Sequence, residues 1–218
     1  MIGILKKKPK KFKISYSQQG EDLIIEFLLQ QRGITNPYYV DIGSNDPIRF
    51  SNTYLLYKNG GTGICIDPNP VFKKMFAAER PNDVFINAGI SGKESGKAMF
   101  YDMDWHEFST FDKEQALAVQ ENYKGKNNIK AEIELPIISV KELSGKFKSA
   151  IDVLNLDVEG LDLEILEGWD FDNHSPKIIC VECKDLKTGE VDERIDTLIK
   201  SKGYKLSGSN PINRIYTL

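Results

Sequence analysis

The chain has 218 residues, of which 40% are hydrophobic and 28% are charged, and its formal net charge is -3 at pH 7. This length allows one domain with a full hydrophobic core, and the balanced charge gives no sign of a nucleic-acid partner. No apolar run approaches the roughly 18 residues that a membrane-spanning helix needs. The three cysteines, Cys65, Cys180 and Cys183, are too few for a disulfide framework, which favours a reducing, cytoplasmic location.

Residues 1–14 are predicted to form a basic, flexible tail ahead of a single domain that covers residues 15–218. Six lysines occur by residue 13, after an apolar start that is too short for a signal peptide. One interpretation is a loose, solvated segment. The other is weak contact with anionic lipid or another polyanion, and the lysine spacing does not separate the two.

Short hydrophobic runs alternate with helical stretches along most of the chain. The first predicted helix covers residues 18–32, with Ser17 as its N-cap and Gly33 after its end. Predicted strands cover residues 38–42, 63–67, 84–88, 150–157 and 177–182, and further predicted helices cover 52–58, 69–79, 160–167 and 190–202. This alternation predicts an α/β fold with a doubly wound, mostly parallel sheet.

Two further regions complete the predicted fold. Two strand-like runs around a Gly/Asn/Pro turn near the end of the sequence predict an antiparallel C-terminal hairpin. Residues 91–149 form a long polar interval between the third and fourth predicted strands, with a helical "DKEQALAVQENY" and a strand-like "AEIELPII". We expect this interval to be an insertion beside the strand ends, where doubly wound folds bind ligands.

The loop after the first predicted strand carries acids where a phosphate-binding loop would carry glycines. A dinucleotide fingerprint has three glycines in G-x-G-x-x-G, whereas "DIGSNDP" has Gly43 alone, between Asp41 and Asp46. Backbone amides that face a pyrophosphate do not tolerate a carboxylate beside them. The loop therefore favours a nucleotide-like ligand that carries positive charge.

Acids also follow three other predicted strands. Asp67 lies 24 residues after Gly43, a spacing suited to an acid that binds ribose hydroxyls, although Asp67 could instead cap the following helix. Asp157 and Glu159 follow the fourth strand, and Glu182 ends the fifth. Since the carboxyl ends of parallel strands meet at one edge, these acids predict an acidic cup. Such a cup needs a cationic ligand, a metal ion or raised pKa values.

Several motifs, taken in their order along the chain, resemble the FkbM-type methyltransferase family. They are "SQQGEDLI", "VDIGSNDPIRFSNTY", "GICIDPNP", "NAGIS", "FSTF", "LNLDVEGLDLEIL" and "KIICVE", within about residues 15–183. The resemblance implies a class I, Rossmann-like fold that uses S-adenosylmethionine and generally methylates hydroxyls of sugars and other small molecules. That cofactor carries a sulfonium and an ammonium and no phosphate, which agrees with an acid at position 41.

The resemblance also implies roles for individual residues. It assigns cofactor binding to Ser17, Gln18, Glu21, Asp41, Gly43, Asn45, Asp67, Asn87 and Ala88. It places Asp157, Glu159 and Gly160 at the reacting edge, and Glu182 ends the next strand. One departure is that the first loop has fewer glycines than many class I methyltransferases, with Asp46 and Pro47 in their place, which makes the approach to the cofactor narrower and stiffer.

The insertion contributes further candidates. His106 is a candidate general base, or else a packing residue. Trp105, Phe108 and Phe111 form either a substrate platform or a local hydrophobic anchor. The two histidines lie far apart with no cysteine cluster, so no zinc site is predicted. Cys180 and Cys183 should point to opposite faces of their strand and therefore form no redox pair.

The sequence thus predicts a methyltransferase that acts on a hydroxyl of a sugar or other small metabolite. Asp157, Glu159 and Glu182 could hold the cofactor's cationic end, act as the base, or bind Mg²⁺ or Ca²⁺. We favour the metal-free version, with Asp157 nearest the reaction. The alternatives are a catalytically inactive binding module with the cofactor fold and, less favoured because of the missing glycines, a nicotinamide-dependent oxidoreductase.

Overall fold

A computed structural model describes residues 12–158, 160–183 and 191–218. Most of the predicted basic tail, and Glu159, therefore lie outside the described residues. The strands are β1 Tyr38–Ile42, β2 Thr62–Ile66, β3 Val84–Ile86, β4 Gly89–Ser91, β5 Gly96–Met103, β6 Ile129–Ser139, β7 Val153–Leu156, β8 Ile178–Glu182, β9 Lys205–Ser209 and β10 Asn213–Thr217. All five strands predicted for the main sheet are confirmed within a few residues.

The helices alternate with these strands. They are α1 Glu21–Gln31, α2 Tyr54–Lys58, α3 Phe72–Glu79, α4 Lys113–Asn122, α5 Val140–Ser144, α6 Asp162–Glu167 and α7 Glu193–Ser201, with a short 3₁₀ helix at His106–Phe108. Within the described part of the chain, each helix is too short or too polar to cross a bilayer.

The start of the first helix differs from the prediction. The helix α1 begins at Glu21 after Gly20, which has φ of 89°, so Ser17 is not its N-cap. The Ser17 hydroxyl instead donates to the Asp22 carboxylate at 2.9 Å and accepts a hydrogen bond from the Gly20 amide at 3.0 Å. Because Gly20 adopts the left-handed conformation readily, the chain turns sharply and the serine lies one turn before the helix.

The main sheet has seven strands in the order β3-β2-β1-β7-β8-β10-β9. The pairs from β3 to β8 are parallel, whereas β10 is antiparallel to both β8 and β9. The order reverses direction at β1, so chain connections leave the sheet on both sides of this strand. The predicted doubly wound, mostly parallel sheet with an antiparallel C-terminal hairpin is confirmed.

Helices cover both faces of this sheet. Alternate residues of each strand point to opposite faces, and in β1 Tyr39 joins one buried cluster while Val40 joins the other. The first cluster contains side chains of α1, α2 and α3, and the second contains side chains of α5, α6 and α7. Cys180 belongs to the first cluster and Cys183 to the second, so the prediction that they face opposite sides is confirmed.

The interval between β3 and β7 forms a second, smaller sheet. Its order is β4-β6-β5, with β4 parallel and β5 antiparallel to β6. The sheet contacts the main body closely where its backbone passes the end of α6. A Cβ atom added to Gly168 would lie only 2.2 Å from the carbonyl oxygen of Gly92. The insertion is therefore packed directly against the main body at this point.

This contact gives a testable expectation. Gly168→Ala should lower the free energy of unfolding by about 1–3 kcal/mol, because the methyl group collides with backbone that cannot rotate away. Gly96→Ala is the matched control, since a Cβ there would meet nothing within 4 Å, and it should change stability by no more than about 0.5 kcal/mol. Urea denaturation measures both. Equal effects of the two substitutions would contradict the close packing of the insertion.

Candidate active site

A cleft opens at the carboxyl ends of β1, β2 and β7. Its volume is about 140 Å³. The loops after these three strands form its floor, and residues of the insertion form one wall. Five acids line it, namely Glu21, Asp41, Asp67, Glu107 and Asp157, and none of the described lining residues is lysine or arginine. The cleft therefore favours a ligand that brings positive charge or hydrogen-bond donors.

Gly43 sets the shape of the floor. Its φ is +78°, and a Cβ atom there would lie 1.7 Å from the carbonyl oxygen of Asp157. The amides of Gly43 and Ser44 both donate to the carbonyl of Ile66, at 2.9 and 3.0 Å. The loop after β1 is thus clamped between the ends of β2 and β7. Only glycine allows this conformation and this approach.

Asp67 links the loops after β1 and β2. One oxygen of its carboxylate accepts the Asn45 amide at 2.9 Å, and the other accepts the Asn69 amide at 2.8 Å. Burial raises the pKa of Asp67 to about 7, although these two hydrogen bonds lower it. Each carboxylate oxygen can accept a second hydrogen bond, so Asp67 can still bind a pair of ligand hydroxyls. It does not cap α3, whose N-cap is Val71.

Asp41 lies at the base of the cleft and is almost fully buried. Its carboxylate accepts a hydrogen bond from the Thr53 hydroxyl and one from the side-chain amide of Asn155, the latter at 2.8 Å. Burial raises the pKa of Asp41, and the positive charge of Arg80 opposes that rise. A buried carboxylate without a counter-charge is costly, so the ionised form depends on these neighbours.

Asp157 follows β7 on the opposite side of Gly43 from Asp67. Burial raises the pKa of Asp157 to about 6, and a hydrogen bond with Glu182 lowers it. The carboxyls of Asp157 and Glu182 are therefore direct hydrogen-bonding partners. Asp162, at the start of α6, accepts the amides of Val158 and Gly160 at 3.3 Å each and stabilises the turn after Asp157. Burial raises the pKa of Asp162 to about 7.

Glu21 joins the first helix to the C-terminal hairpin. Its carboxylate accepts hydrogen bonds from the side-chain amides of Asn210 at 2.7 Å and Asn213 at 2.8 Å, and from the Gln19 amide at 2.9 Å. Burial raises the pKa of Glu21, but these hydrogen bonds outweigh it and the pKa is lowered overall. Glu21 therefore brings a negative charge to the cleft at neutral pH.

The insertion forms the wall beside Asp67. Nδ1 of His106 lies 3.1 Å from the side-chain nitrogen of Asn69 and 3.3 Å from Oδ1 of Asp102. Glu107 pairs with Arg49, which joins the wall to the loop after β1. The hydrogen-bonding partners of His106 thus belong to the loop after β2 and to β5. A role for His106 as general base stays a prediction.

The aromatic residues of the insertion divide between two positions. Trp105 and Phe108 pack against Tyr123 with ring centroids 5.1 and 5.2 Å away. Phe111 lines the cleft and lies 5.1 Å from Phe100. Trp105 and Phe108 therefore provide the local anchor, and Phe111 remains available to a ligand.

The structure brings most of the predicted site residues to this cleft. Those lining it are Gln18, Glu21, Asp41, Gly43, Asn45, Asp67, Ala88, His106 and Asp157. Ser17, Asn87 and Glu182 are not among the lining residues; Asn87 donates to the carbonyls of Asp67 and Pro68, and Glu182 contacts Asp157. Glu159 lies outside the described residues. The individual roles of all these residues stay predictions.

The sequence analysis missed many residues of the site, and four of them have defined surroundings. Asn155 orients Asp41, and Arg80 lies behind it. The Ser44 hydroxyl and Oδ1 of Asn213 are buried at the cleft and have no hydrogen-bond partner among the described residues. The only sequence signal for Ser44 is its place within the motif "DIGSN". Asn213 had no local signal, because it lies 192 residues from its partner Glu21.

Strand order and site together define a class of protein. The order of the seven strands, the single reversed strand β10 and the acids at the ends of β1, β2 and β7 are those of a class I, Rossmann-like methyltransferase fold. The model of the methyltransferase FkbM domain matches residues 41–206. The chain therefore belongs to the FkbM methyltransferase family.

Solved structures with a similar fold share little sequence with the chain. A TehB-like methyltransferase from Corynebacterium glutamicum has 8% identity and a TM-score of 0.47, with 91% of this chain and 86% of that chain covered. A precorrin-6y C5,15-methyltransferase from Geobacter metallireducens has 12% identity, a TM-score of 0.45, and coverage of 94% and 90%. An O-methyltransferase from Bacillus cereus in complex with SAH has 9% identity, a TM-score of 0.46, and coverage of 93% and 81%. No curated protein matches the chain by sequence.

The raised pKa values predict an unusual pH dependence of stability. The folded-state pKa of Asp67 is about 7, above its value of 3.8 in the unfolded chain. Between these two pKa values, Asp67 is protonated in the folded protein and ionised in the unfolded chain. The contribution of Asp67 to stability is fully present below about pH 4 and is lost as the pH rises to about 7, by up to about 1.4 kcal/mol per pH unit.

Asp67→Asn should flatten the fall in the free energy of unfolding between about pH 5 and pH 7. Asp170→Asn is the control: hydrogen bonds from Asn173 lower the pKa of this exposed acid, so its contribution is lost only when the pH falls below that window. Urea denaturation of the ligand-free protein at several pH values measures both slopes. An unchanged slope in Asp67→Asn would show that Asp67 stays ionised.

Proposed function

We propose that the chain transfers a methyl group from S-adenosylmethionine to a hydroxyl of a sugar or other small metabolite. The observation that carries this proposal is the cleft at the ends of β1, β2 and β7, whose described lining residues include five acids and no lysine or arginine. S-adenosylmethionine brings two cationic groups and a pair of ribose hydroxyls. Buried carboxylates and such a ligand satisfy one another.

The residues present fit this cofactor. Asp67 would hold the ribose hydroxyls, and Asp41 and Glu21 would face the cationic end. The buried Ser44 hydroxyl, which has no hydrogen-bond partner among the described residues, would donate to the cofactor's carboxylate, since such a group is costly unless a ligand or water pairs with it. Apolar lining residues remain for the adenine ring; they include Phe50, Ile66, Ile90 and Phe100.

The bound cofactor supplies a methyl group that is already activated by its sulfonium. The chain has to hold the acceptor oxygen in line with that methyl group and take the proton of the acceptor. We assign the proton to a carboxylate oxygen of Asp157. A base whose pKa is about 6 is ionised at neutral pH and still has an appreciable proton affinity. Glu182 would stabilise the protonated pair, and His106 is the second candidate base.

The two other functions have less support. A nicotinamide dinucleotide carries a pyrophosphate, which favours cationic side chains or a glycine-rich loop. The described lining residues offer neither, and Asp41 would repel it. An inactive binding module has no use for acids with raised pKa values at three strand ends, because each lowers stability at neutral pH. We also propose a cytoplasmic location, which agrees with three buried cysteines that are all free thiols.

Two experiments test the proposed function in sequence. Calorimetry should show binding of S-adenosylmethionine and of S-adenosylhomocysteine, and no binding of NAD at the same concentrations. Incubation with methyl-labelled S-adenosylmethionine and fractionated small molecules of a cell extract should then give a labelled, alkali-stable product, as expected of a methyl ether. Binding of NAD instead would favour the oxidoreductase. Cofactor binding without any labelled product would favour the inactive module. A methyl ester, which alkali hydrolyses, or a methylated amine would show that the acceptor is a carboxylate or an amine and not a hydroxyl.

Asp157→Asn should lower turnover by about two orders of magnitude or more, because it keeps size and hydrogen bonding but removes the base. Cofactor affinity should change little. Turnover of the wild type should also survive EDTA, because the sulfonium of the cofactor already supplies the positive charge that a metal ion would add. Activity that is lost with EDTA and restored by Mg²⁺ would instead make Asp157 a metal ligand.

A further inference from the structure

Arg80, the residue after α3, is a fully buried cation behind the cleft. Only 1% of it is exposed. Its Nε donates to Asp83 at 2.7 Å, and this ion pair is closed off from solvent on both sides. A buried charge costs several kcal/mol unless it is paired and its hydrogen-bonding groups are satisfied. Asp83 binds only Nε of the guanidinium, so the hydrogen bonds of Nη1 and Nη2 show which other groups Arg80 holds in place.

Those donors bind the segment that leaves β1 and forms the cleft floor. Nη1 donates to the carbonyl of Pro47 at 3.4 Å and to the Ser51 hydroxyl at 3.3 Å. Nη2 donates to the phenol oxygen of Tyr39 at 3.1 Å and to the Thr53 hydroxyl at 3.0 Å. One side chain thus fixes three points between residues 47 and 53. The planar, five-donor geometry of arginine suits this task, whereas lysine could not make these contacts together.

The contact with Thr53 extends to the cleft. The Thr53 hydroxyl accepts from Arg80 and donates its own proton to Asp41. Arg80 therefore reaches the carboxylate at the cleft base through one hydroxyl, in addition to its direct electrostatic attraction. Arg80 itself is not among the lining residues.

The surroundings of Asp41 make this cation important. Titratable groups face Asp41 from the end of α3, from β2, from β7 and from β8: Arg80, Asp83, Cys65, Asp67, Asp157 and Cys180. Among these, Arg80 is the one cation. Burial and the neighbouring acids favour protonation of Asp41, and Arg80 opposes both.

We propose that Arg80 is a positioning residue for the cofactor. Arg80 keeps Asp41 ionised and fixes the 47–53 segment, so that the carboxylate of Asp41 faces the cofactor's cationic end. The inference rests on the proposed function, because it takes the ligand of Asp41 to be S-adenosylmethionine. Beyond the proposed function, the affinity for S-adenosylmethionine and the pH dependence of that affinity are set by Arg80, a residue that does not touch the ligand.

The test uses three variants and one stable ligand. Arg80→Met removes the cation, and Thr53→Val removes the connecting hydroxyl while keeping the branched shape. Tyr39→Phe is the matched control: it removes a phenol that contacts Arg80 and Asp83 but leaves the path from Arg80 through Thr53 to Asp41. Calorimetry with S-adenosylhomocysteine, which carries the same ammonium, gives the affinity of each variant between about pH 6.5 and about pH 8.5.

Arg80→Met should weaken binding about tenfold or more near neutral pH, because Asp41 becomes protonated and a charge-assisted contact is lost. Without the cation the pKa of Asp41 rises, so the defect relative to wild type should shrink as the pH increases and Asp41 ionises again. Thr53→Val should show a smaller defect with the same pH trend. Tyr39→Phe should bind within about twofold of wild type at every pH, although its thermal stability falls.

The remaining outcomes count against the proposal. Wild-type affinity in both Arg80→Met and Thr53→Val would overturn it. A defect that is independent of pH, or one shared equally by Tyr39→Phe, would show that Arg80 supports the fold and no more. If Arg80→Met does not fold, the comparison of Thr53→Val with Tyr39→Phe decides. Failure of the wild type to bind S-adenosylhomocysteine would instead refute the proposed function, and this inference with it.

Discussion

The close approach of Gly43 to the carbonyl of Asp157 is the constraint on which the site depends. The loop after β1 can turn across the end of β7 only because position 43 has no side chain and a positive φ. The same turn lets the amides of Gly43 and Ser44 bind the end of β2. Three strand ends are thereby held together. Acids that lie 26 and 90 residues apart in sequence, from Asp41 to Asp67 and from Asp67 to Asp157, meet around one cleft.

The buried acids of the cleft oppose folding and favour binding at once. Burial raises the pKa of Asp67 to about 7 and that of Asp157 to about 6, and it also raises the pKa of Asp162, beside the cleft, to about 7. Each ionised acid is therefore less stable in the folded protein than in water. A cationic, hydroxyl-bearing ligand relieves this cost. The free energy that the folded chain loses by burying these acids is therefore partly recovered when the ligand binds. Neutral asparagines and serines in these positions would give a more stable protein with a weaker site.

Local patterns in the sequence predicted the strands, the parallel sheet and most cleft residues, because buried strands and the acids that end them are contiguous in sequence. The second sheet was not predicted, since β4 has three residues and its partner β6 lies almost 50 residues away. Ser17 was misplaced because Gly20 breaks the helical start. Arg80 gave no signal: arginines near helix ends are mostly exposed, and most of its partners lie in β1 and in the loop after it, 27 to 41 residues earlier in the sequence. Asn213 depends on a partner at the opposite end of the chain.

The position of β10 determines when the cleft can form. Residues 213–217 insert between β8 and β9, and Asn213 provides one of the hydrogen bonds that hold Glu21. A growing chain that has left the ribosome only as far as β9 would have β8 with an unpaired edge and the first helix without its C-terminal partner. Unpaired edges attract other chains. Pairing of β10 with β8 and β9 therefore closes the edge of the sheet and brings Asn213 to Glu21 in the same step.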